Sequence, residues 1–175
     1  MATFKHSPID LDRPSIRLVR LLKAEDPGTV PGEYAIRCEI VFSFLDGGIP
    51  YEALSYAWGD PGVTKDIYVE GLRYPVTVNL ESALQHIQPS SSESDRFLWI
   101  DAICIDQSNV RERGHQVHQM GRIYKEAECV IAWLDPGTLD SNNAMELLHS
   151  VSLLWPEHLS DSVFALLNRS WFKRV

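Results

Sequence analysis

A chain of 175 residues, 45% hydrophobic and 23% charged, has the size and make-up of one globular domain with one core. Its formal net charge of −8 argues against the basic face that a nucleic-acid partner requires, and leaves room for a small anionic ligand held by a few local donors. No run of about 18 apolar residues occurs, so no helix is expected to span a membrane.

Residues 1–11 carry Lys5, His6 and Asp10 around no apolar core, which is not the pattern of a secretory signal. The cysteines, Cys38, Cys104 and Cys129, are odd in number and form no CxxC pair. Reduced thiols and a cytoplasmic location are therefore expected, and neither zinc nor any resident cofactor is called for.

Residues 15–22 (SIRLVRLL) read as a strand interrupted by Arg17 and Arg20. Residues 23–32 hold Pro27-Gly28 and Pro31-Gly32 and read as a loop. Over residues 34–44 apolar and polar residues alternate. Tyr34, Ile36, Cys38, Ile40, Phe42 and Phe44 share one side, and Arg37, Glu39 and Ser43 the other. That predicts a strand with one buried face, Val41 being the exception. Asp46-Gly47-Gly48 turns the chain. Residues 51–58 (YEALSYAW) predict a further strand, whose closing loop Gly59-Asp60-Pro61-Gly62 leaves Trp58 at its mouth.

Residues 67–69 and 72–78 flank Glu70-Gly71 and read as a hairpin. Asn79 reads as the N-cap of a helix over 80–87, with Leu80, Ala83, Leu84 and Ile87 on its apolar face. Residues 89–95 (PSSSESD) read as a solvated loop. Phe97-Leu98-Trp99-Ile100 is a continuous apolar run, as expected for a strand covered on both faces, and it ends on Asp101. A loop with Cys104, Asp106 and Gln107 follows.

A helix is expected from near Asn109. Arg113, Gln116, Val117, Met120, Tyr124 and Ala127 recur along it at helical spacing. Gly121 weakens this helix by roughly 1 kcal/mol relative to alanine, which a close packing contact would explain. Residues 129–134 form another apolar run, ending on Asp135 before Pro136-Gly137. A helix over 142–154, capped by Asp140 or Ser141, carries Ala144, Leu147, Leu148, Val151 and Leu154. A short helix over 161–168 follows, and residues 171–175 read as the lead into another strand. The second half thus alternates strand and helix, which implies parallel strands joined by right-handed crossovers. The expected fold class is α/β, a parallel core sheet flanked by helices, with an added antiparallel β portion near the N-terminus.

In an open parallel sheet, ligands bind beyond the carboxyl ends of the strands. Residues 101–107 and Asp135 reach that edge, and Trp58-Gly59-Asp60 joins them if the 51–58 strand runs the same way. Trp58 offers a flat face and Gly59 allows close backbone approach. The carboxylates of Asp60, Asp101 and Asp106 can accept hydroxyl hydrogen bonds, and helix N–H groups favour phosphate. With Cys104, Gln107 and Glu112, these are the candidate ligand residues, and the set suits a nucleotide with sugar hydroxyls. Each also has a plainer role. Asp101 serves equally as a turn cap, Trp58 as core, and Glu112 as a first-turn acid offsetting the helix dipole. Cys104 has no local histidine to activate it. His115 and His118 read as surface or core contacts rather than metal ligands. No glycine-rich phosphate loop is present.

The stretches YEALSYAWGD (51–60), VNL (78–80) with Ala83-Leu84, and LWIDAICIDQ (98–107) resemble the fungal heterokaryon-incompatibility (HET) domain. So do Glu112-Arg113, Gln116-Val117, Met120, Ile123-Tyr124 and Ala127 of the helix, and VIAWL (130–134) after it. The family usually has glycine where this chain has Asp135. Trp171-Phe172-Lys173-Arg174-Val175 resembles the start of a block that normally continues with tryptophan and a Gln-Glu pair. The resemblance implies an extension over 1–14 and a HET domain over 15–175 that stops short of its C-terminal end. It also implies a role in non-self recognition and programmed cell death, and a distant likeness to the flavodoxin-like TIR modules. Some TIR domains cleave NAD with a glutamate on a helix after a core strand; here the matching residue is Glu146. The alternatives are a non-enzymatic self-association or protein-interaction module, or an inactive truncated fragment.

Overall fold

The computed structural model describes residues 4–24 and 35–134. In chain order these form β1 (Ser15–Leu21), β2 (Arg37–Phe44), β3 (Glu52–Tyr56), β4 (Thr64–Val69), β5 (Leu72–Thr77), α1 (Val78–Ile87), β6 (Arg96–Trp99), α2 (Asp101–Cys104), α3 (Val110–Glu126) and β7 (Cys129–Trp133). The expected helices over 142–154 and 161–168, the strand at 171–175, Asp135 and Glu146 lie outside the described residues. Among the described residues, no helix is long and apolar enough to cross a membrane.

The strands join in one mixed sheet, in the order β5-β4-β2-β1-β6-β3-β7. β3 lies between β6 and β7 and is parallel to both, so the connection from β6 through α3 to β7 passes over one strand. β1 is antiparallel to β2 on one side and β6 on the other. The antiparallel portion is therefore not an addition to a parallel core: β1 stands at the centre of the sheet. Residues 4–14 pack rather than trail. Ile9 is buried, Phe4 meets the Tyr74 ring edge-on, and His6 Nε2 lies 2.7 Å from Ile103 O.

Local chemistry accounts for most of the boundaries. Glu70 and Gly71 both have positive φ (52° and 72°), the pairing of a type I′ turn, whose twist matches the strands of the β4–β5 hairpin. α1 begins two residues earlier than its sequence pattern indicates, because Thr77 and not Asn79 caps it; Thr77 Oγ1 accepts from Leu80 N at 3.4 Å. Asn109 caps α3 as expected, its Oδ1 accepting from Glu112 N at 3.2 Å. Asp95, placed by its sequence in a solvated loop, accepts from the Arg20 guanidinium and the Lys23 amide.

Two faces differ from their pattern. In β2 the alternation holds at Ile36 and Cys38 but fails near the end, where Phe42 is exposed and Ser43 is buried. There the Ser43 hydroxyl accepts from Ile49 N, while arginines face the phenyl rings, Arg13 at 4.1 Å from Phe44 and Arg17 at 5.9 Å from Phe42. In α3 the buried residues are Glu112, Gln116 and Ile123, and Val117 is 55% exposed. Gln116 Nε2 and Gln119 Nε2 both donate to Ser15 O, so polar partners on β1 set the first half of this face, while Met120, Tyr124 and Ala127 pack on the core as their spacing indicates. No close contact explains Gly121, since a Cβ there would meet nothing within 4 Å.

Neighbouring strand residues face opposite ways. Trp99 meets Tyr124 of α3 at 5.6 Å between ring centroids, whereas Arg96 and Leu98 belong to the other face, where Arg96 donates to Ile87 O of α1. The two long helices thus cover opposite faces, and β6, buried between them, needs its apolar run.

Candidate functional site

Three parallel neighbours, β6, β3 and β7, bring their carboxyl ends to one edge. β6 runs into Ile100-Asp101, β3 into Ala57-Trp58-Gly59, and β7 into Leu134. The condition set for Trp58-Gly59-Asp60, that its strand share the direction of β6, is met.

At this edge Trp58 Nε1–H donates to Asp101 Oδ2 at 2.9 Å. Asp101 Oδ1 accepts from Ala102 N at 2.8 Å, and the Asp101 carbonyl accepts from Gln107 Nε2 at 2.9 Å. Asp101 is 9% exposed, whereas Trp58 is 43% exposed and keeps ring surface free for contact. Gly59 has φ +77°, a conformation open to glycine at little cost, with Asn79 Cβ 3.6 Å from where its own Cβ would stand. Asp60 Oδ1 accepts from Gly62 N at 2.8 Å and folds the loop back on itself.

Asn79 completes the edge. Its Nδ2 donates to Ala57 O at 2.6 Å and its Oδ1 accepts from Trp133 Nε1 at 2.9 Å, so one side chain on α1 joins the ends of β3 and β7. The His86 ring lies 4.8 Å from that of Trp133. The sequence reading placed Asn79 as a cap and missed this role. The available signal was Thr77, a second cap candidate two residues before it, which frees Asn79 for another task.

Cys104 and Glu112 are buried supports, and Asp106 lies half-exposed between them in the chain. The Cys104 sulfur accepts from Ile100 N at 3.3 Å and contacts Leu98 O at 3.8 Å; burial pushes the thiol up to about 12, so it is protonated at neutral pH and no nucleophile. Asp106 Oδ1 accepts from the Ser108 hydroxyl at 2.6 Å, and that bond holds its carboxyl below the usual range. Burial raises Glu112, but hydrogen bonds from Arg17 and from Asp106 N outweigh it and leave the carboxyl below its ordinary value. The outcome is an edge of Trp58, Gly59, Asp60, Asp101 and Asn79, with Gln107 tied to it, above a buried frame. Among the described residues no cluster of three His, Cys, Asp or Glu could hold a metal.

An aromatic face beside a carboxylate is an arrangement that can take a ring and hydroxyls together. Each Asp101 oxygen is oriented by an N–H donor, and a carboxylate oxygen can accept more than one hydrogen bond.

A family model described as "Heterokaryon incompatibility protein (HET)" matches residues 51–175. "Heterokaryon incompatibility protein 6, OR allele" of Neurospora crassa is 30% identical over 169 residues, 90% of this chain and 24% of its own length. The chain thus spans about a quarter of the length of that relative. No solved structure matches.

Proposed function

Because this chain belongs to the heterokaryon incompatibility (HET) family, we propose that it acts in fungal non-self recognition, as a cytoplasmic module that triggers programmed death of incompatible cells. The observation that carries a chemical reading is the Trp58–Asp101 pair at the joint edge of three parallel strands. On this reading the ligand is NAD or a related nucleotide. Trp58 stacks on a ring, while Asp101 and Asp60 accept ribose hydroxyls.

The activity proposed is TIR-like cleavage of NAD. The bond from ribose C1′ to the nicotinamide nitrogen breaks and its electron pair leaves with nicotinamide. Water then adds at C1′ and loses a proton to solvent. Glu146 is the residue proposed to stabilise the oxocarbenium-like transition state, a task carboxylates perform in glycoside hydrolysis.

The test is nicotinamide release from NAD by the purified chain, compared with Trp58→Ala, Asp101→Ala and Glu146→Ala. Release by the parent that drops at least tenfold in each variant supports the reading. No release, or release untouched by all three substitutions, sinks it. A second reading, self-association without catalysis, is favoured by β7, which ends the sheet among the described residues with Val130 exposed. Light scattering across a concentration series decides it: a mass fixed at one chain rejects it.

A further inference from the structure

The matched family segment begins at residue 51, yet the deepest polar contact under the candidate site comes from before it. Arg17 on β1 is fully buried, its side chain 0% exposed, and faces Glu112 at 3%. Nη1 donates to Glu112 Oε1 at 2.5 Å and to Cys104 O at 2.9 Å. Nη2 donates to Glu112 Oε2 at 2.9 Å and to Ser7 O at 2.5 Å, and Nε donates to Ser7 O at 3.2 Å. These bonds occupy all the donors a guanidinium has. Glu112 Oε1 also accepts from Asp106 N at 2.7 Å. Arg17 therefore ties together Ser7, the end of α2 and the first turn of α3, and through Glu112 it reaches the loop at Asp106.

From this geometry we infer that Arg17 is a positioning residue for the 101–107 loop, and that residues 4–9 belong to the frame of the site. In stability alone, a buried ion pair gains little over apolar residues of similar volume. What it adds here is direction, because the planar fork meets acceptors on three separate segments at fixed angles. Lysine at this position would keep the charge but not the fork. Within the segment Ile103 N and Cys104 N reach Ile100 O and Ile105 N reaches Asp101 O, and from outside Tyr74 Oη donates to Ala102 O at 3.0 Å and Arg113 Nη1 to Gln107 O at 3.0 Å; Arg17 adds the charged tie that joins the segment to the central strand β1. Asp101 sits at the start of that turn and presents its carboxylate to Trp58, so a shift of α2 moves the edge. As a statement about ligand handling this rests on the function proposed above; as a statement about the loop it does not.

The experiment is hydrogen exchange by mass spectrometry on the full chain, with peptides covering 101–107 and control peptides in β3 and β6. The variants are Arg17→Lys and the apolar pair Arg17→Met with Glu112→Met. Melting temperature and nicotinamide release are measured alongside. Exchange in 101–107 should quicken at least tenfold in Arg17→Lys, with control strands within twofold, and nicotinamide release should fall at least tenfold. Unchanged exchange in 101–107, or an equal rise across the controls, would overturn the assignment and leave Arg17 a general core residue. The double variant guards against loss of fold in the single one, and its exchange map is read by the same criteria. If the parent chain releases no nicotinamide, the proposed activity fails, while the exchange comparison still decides the role of Arg17.

Discussion

At the scale of single residues, the carboxyl of Glu112 carries a pH dependence. Its ordinary value is 4.5, and in the fold it lies lower, because hydrogen bonds from Arg17 and Asp106 N outweigh burial, which acts to raise it. A carboxyl depressed by folding contributes stability that is complete above its unfolded value and is lost as pH falls through its folded value. Asp106, lowered from 3.8 mainly by the Ser108 hydroxyl, acts in the same direction. Stability should therefore hold from neutral pH down to about 5 and fall steadily below about 4.5. Urea midpoints at a series of pH values check this. Glu112→Gln should lie below the parent at pH 7 and approach it at pH 3; a constant gap would remove Glu112 from the explanation. The acidic first-turn position of Glu112 was legible from the sequence, but its partner was not. Arg17 stands 95 residues away, and nothing local in SIRLVRLL says that its first arginine turns inward while Arg20 reaches Glu39 and Asp95 near the surface. Asn79 was hidden for a similar reason, since its acceptor on β3 and its donor on β7 lie on other elements.

At the scale of elements, α3 holds a glycine that the fold does not use. Gly121 has space around it, is not in the left-handed region, and lies on an exposed part of the helix. Alanine removes the backbone freedom of the unfolded chain there and improves helix propensity by roughly 1 kcal/mol. For a chain of this size that corresponds to a rise in melting temperature of about 2–4 °C. Thermal denaturation of Gly121→Ala checks it, and a fall would mean that something approaches the helix at this point. Elements bounded by local chemistry were readable: the Glu70-Gly71 turn, the Asn109 cap, and the continuous apolar run of β6. The end of β2 and the first half of α3 were not. Periodicity assigns apolar residues to the inside, and Met120, Tyr124 and Ala127 do pack on the core beside buried Ile123, but the first half of α3 buries Glu112 and Gln116, which find Arg17 and the Ser15 carbonyl. Val117 follows the helical spacing and still faces outward.

At the scale of the whole molecule, strand order is the feature that local pattern could not supply. The alternation of strand and helix in the second half led correctly to parallel pairing, and the meeting of Trp58 with Asp101 is consistent with it. The position of β1 did not follow, since an early strand between two later ones depends on pairings far apart in sequence. That position has a consequence for where the folding unit begins. The family match covers residues 51–175 and leaves out β1 and β2, yet β1 is the strand that joins β6 to the left half of the sheet. Removing residues 1–50 would expose the edge of β6, whose Leu98 and Trp99 are fully buried in the intact chain. It would also leave Glu112 without Arg17, and breaking a buried pair from one side costs roughly 3–5 kcal/mol because the remaining charge has no partner. That alone is comparable to the total stability of about 5–15 kcal/mol that domains possess. A chain of residues 51–175 is therefore expected to show no cooperative thermal transition by circular dichroism and to aggregate, while the full chain melts in a single step. A cooperative transition in the shorter chain would show that β6 tolerates an open edge and that β1 is dispensable to the fold.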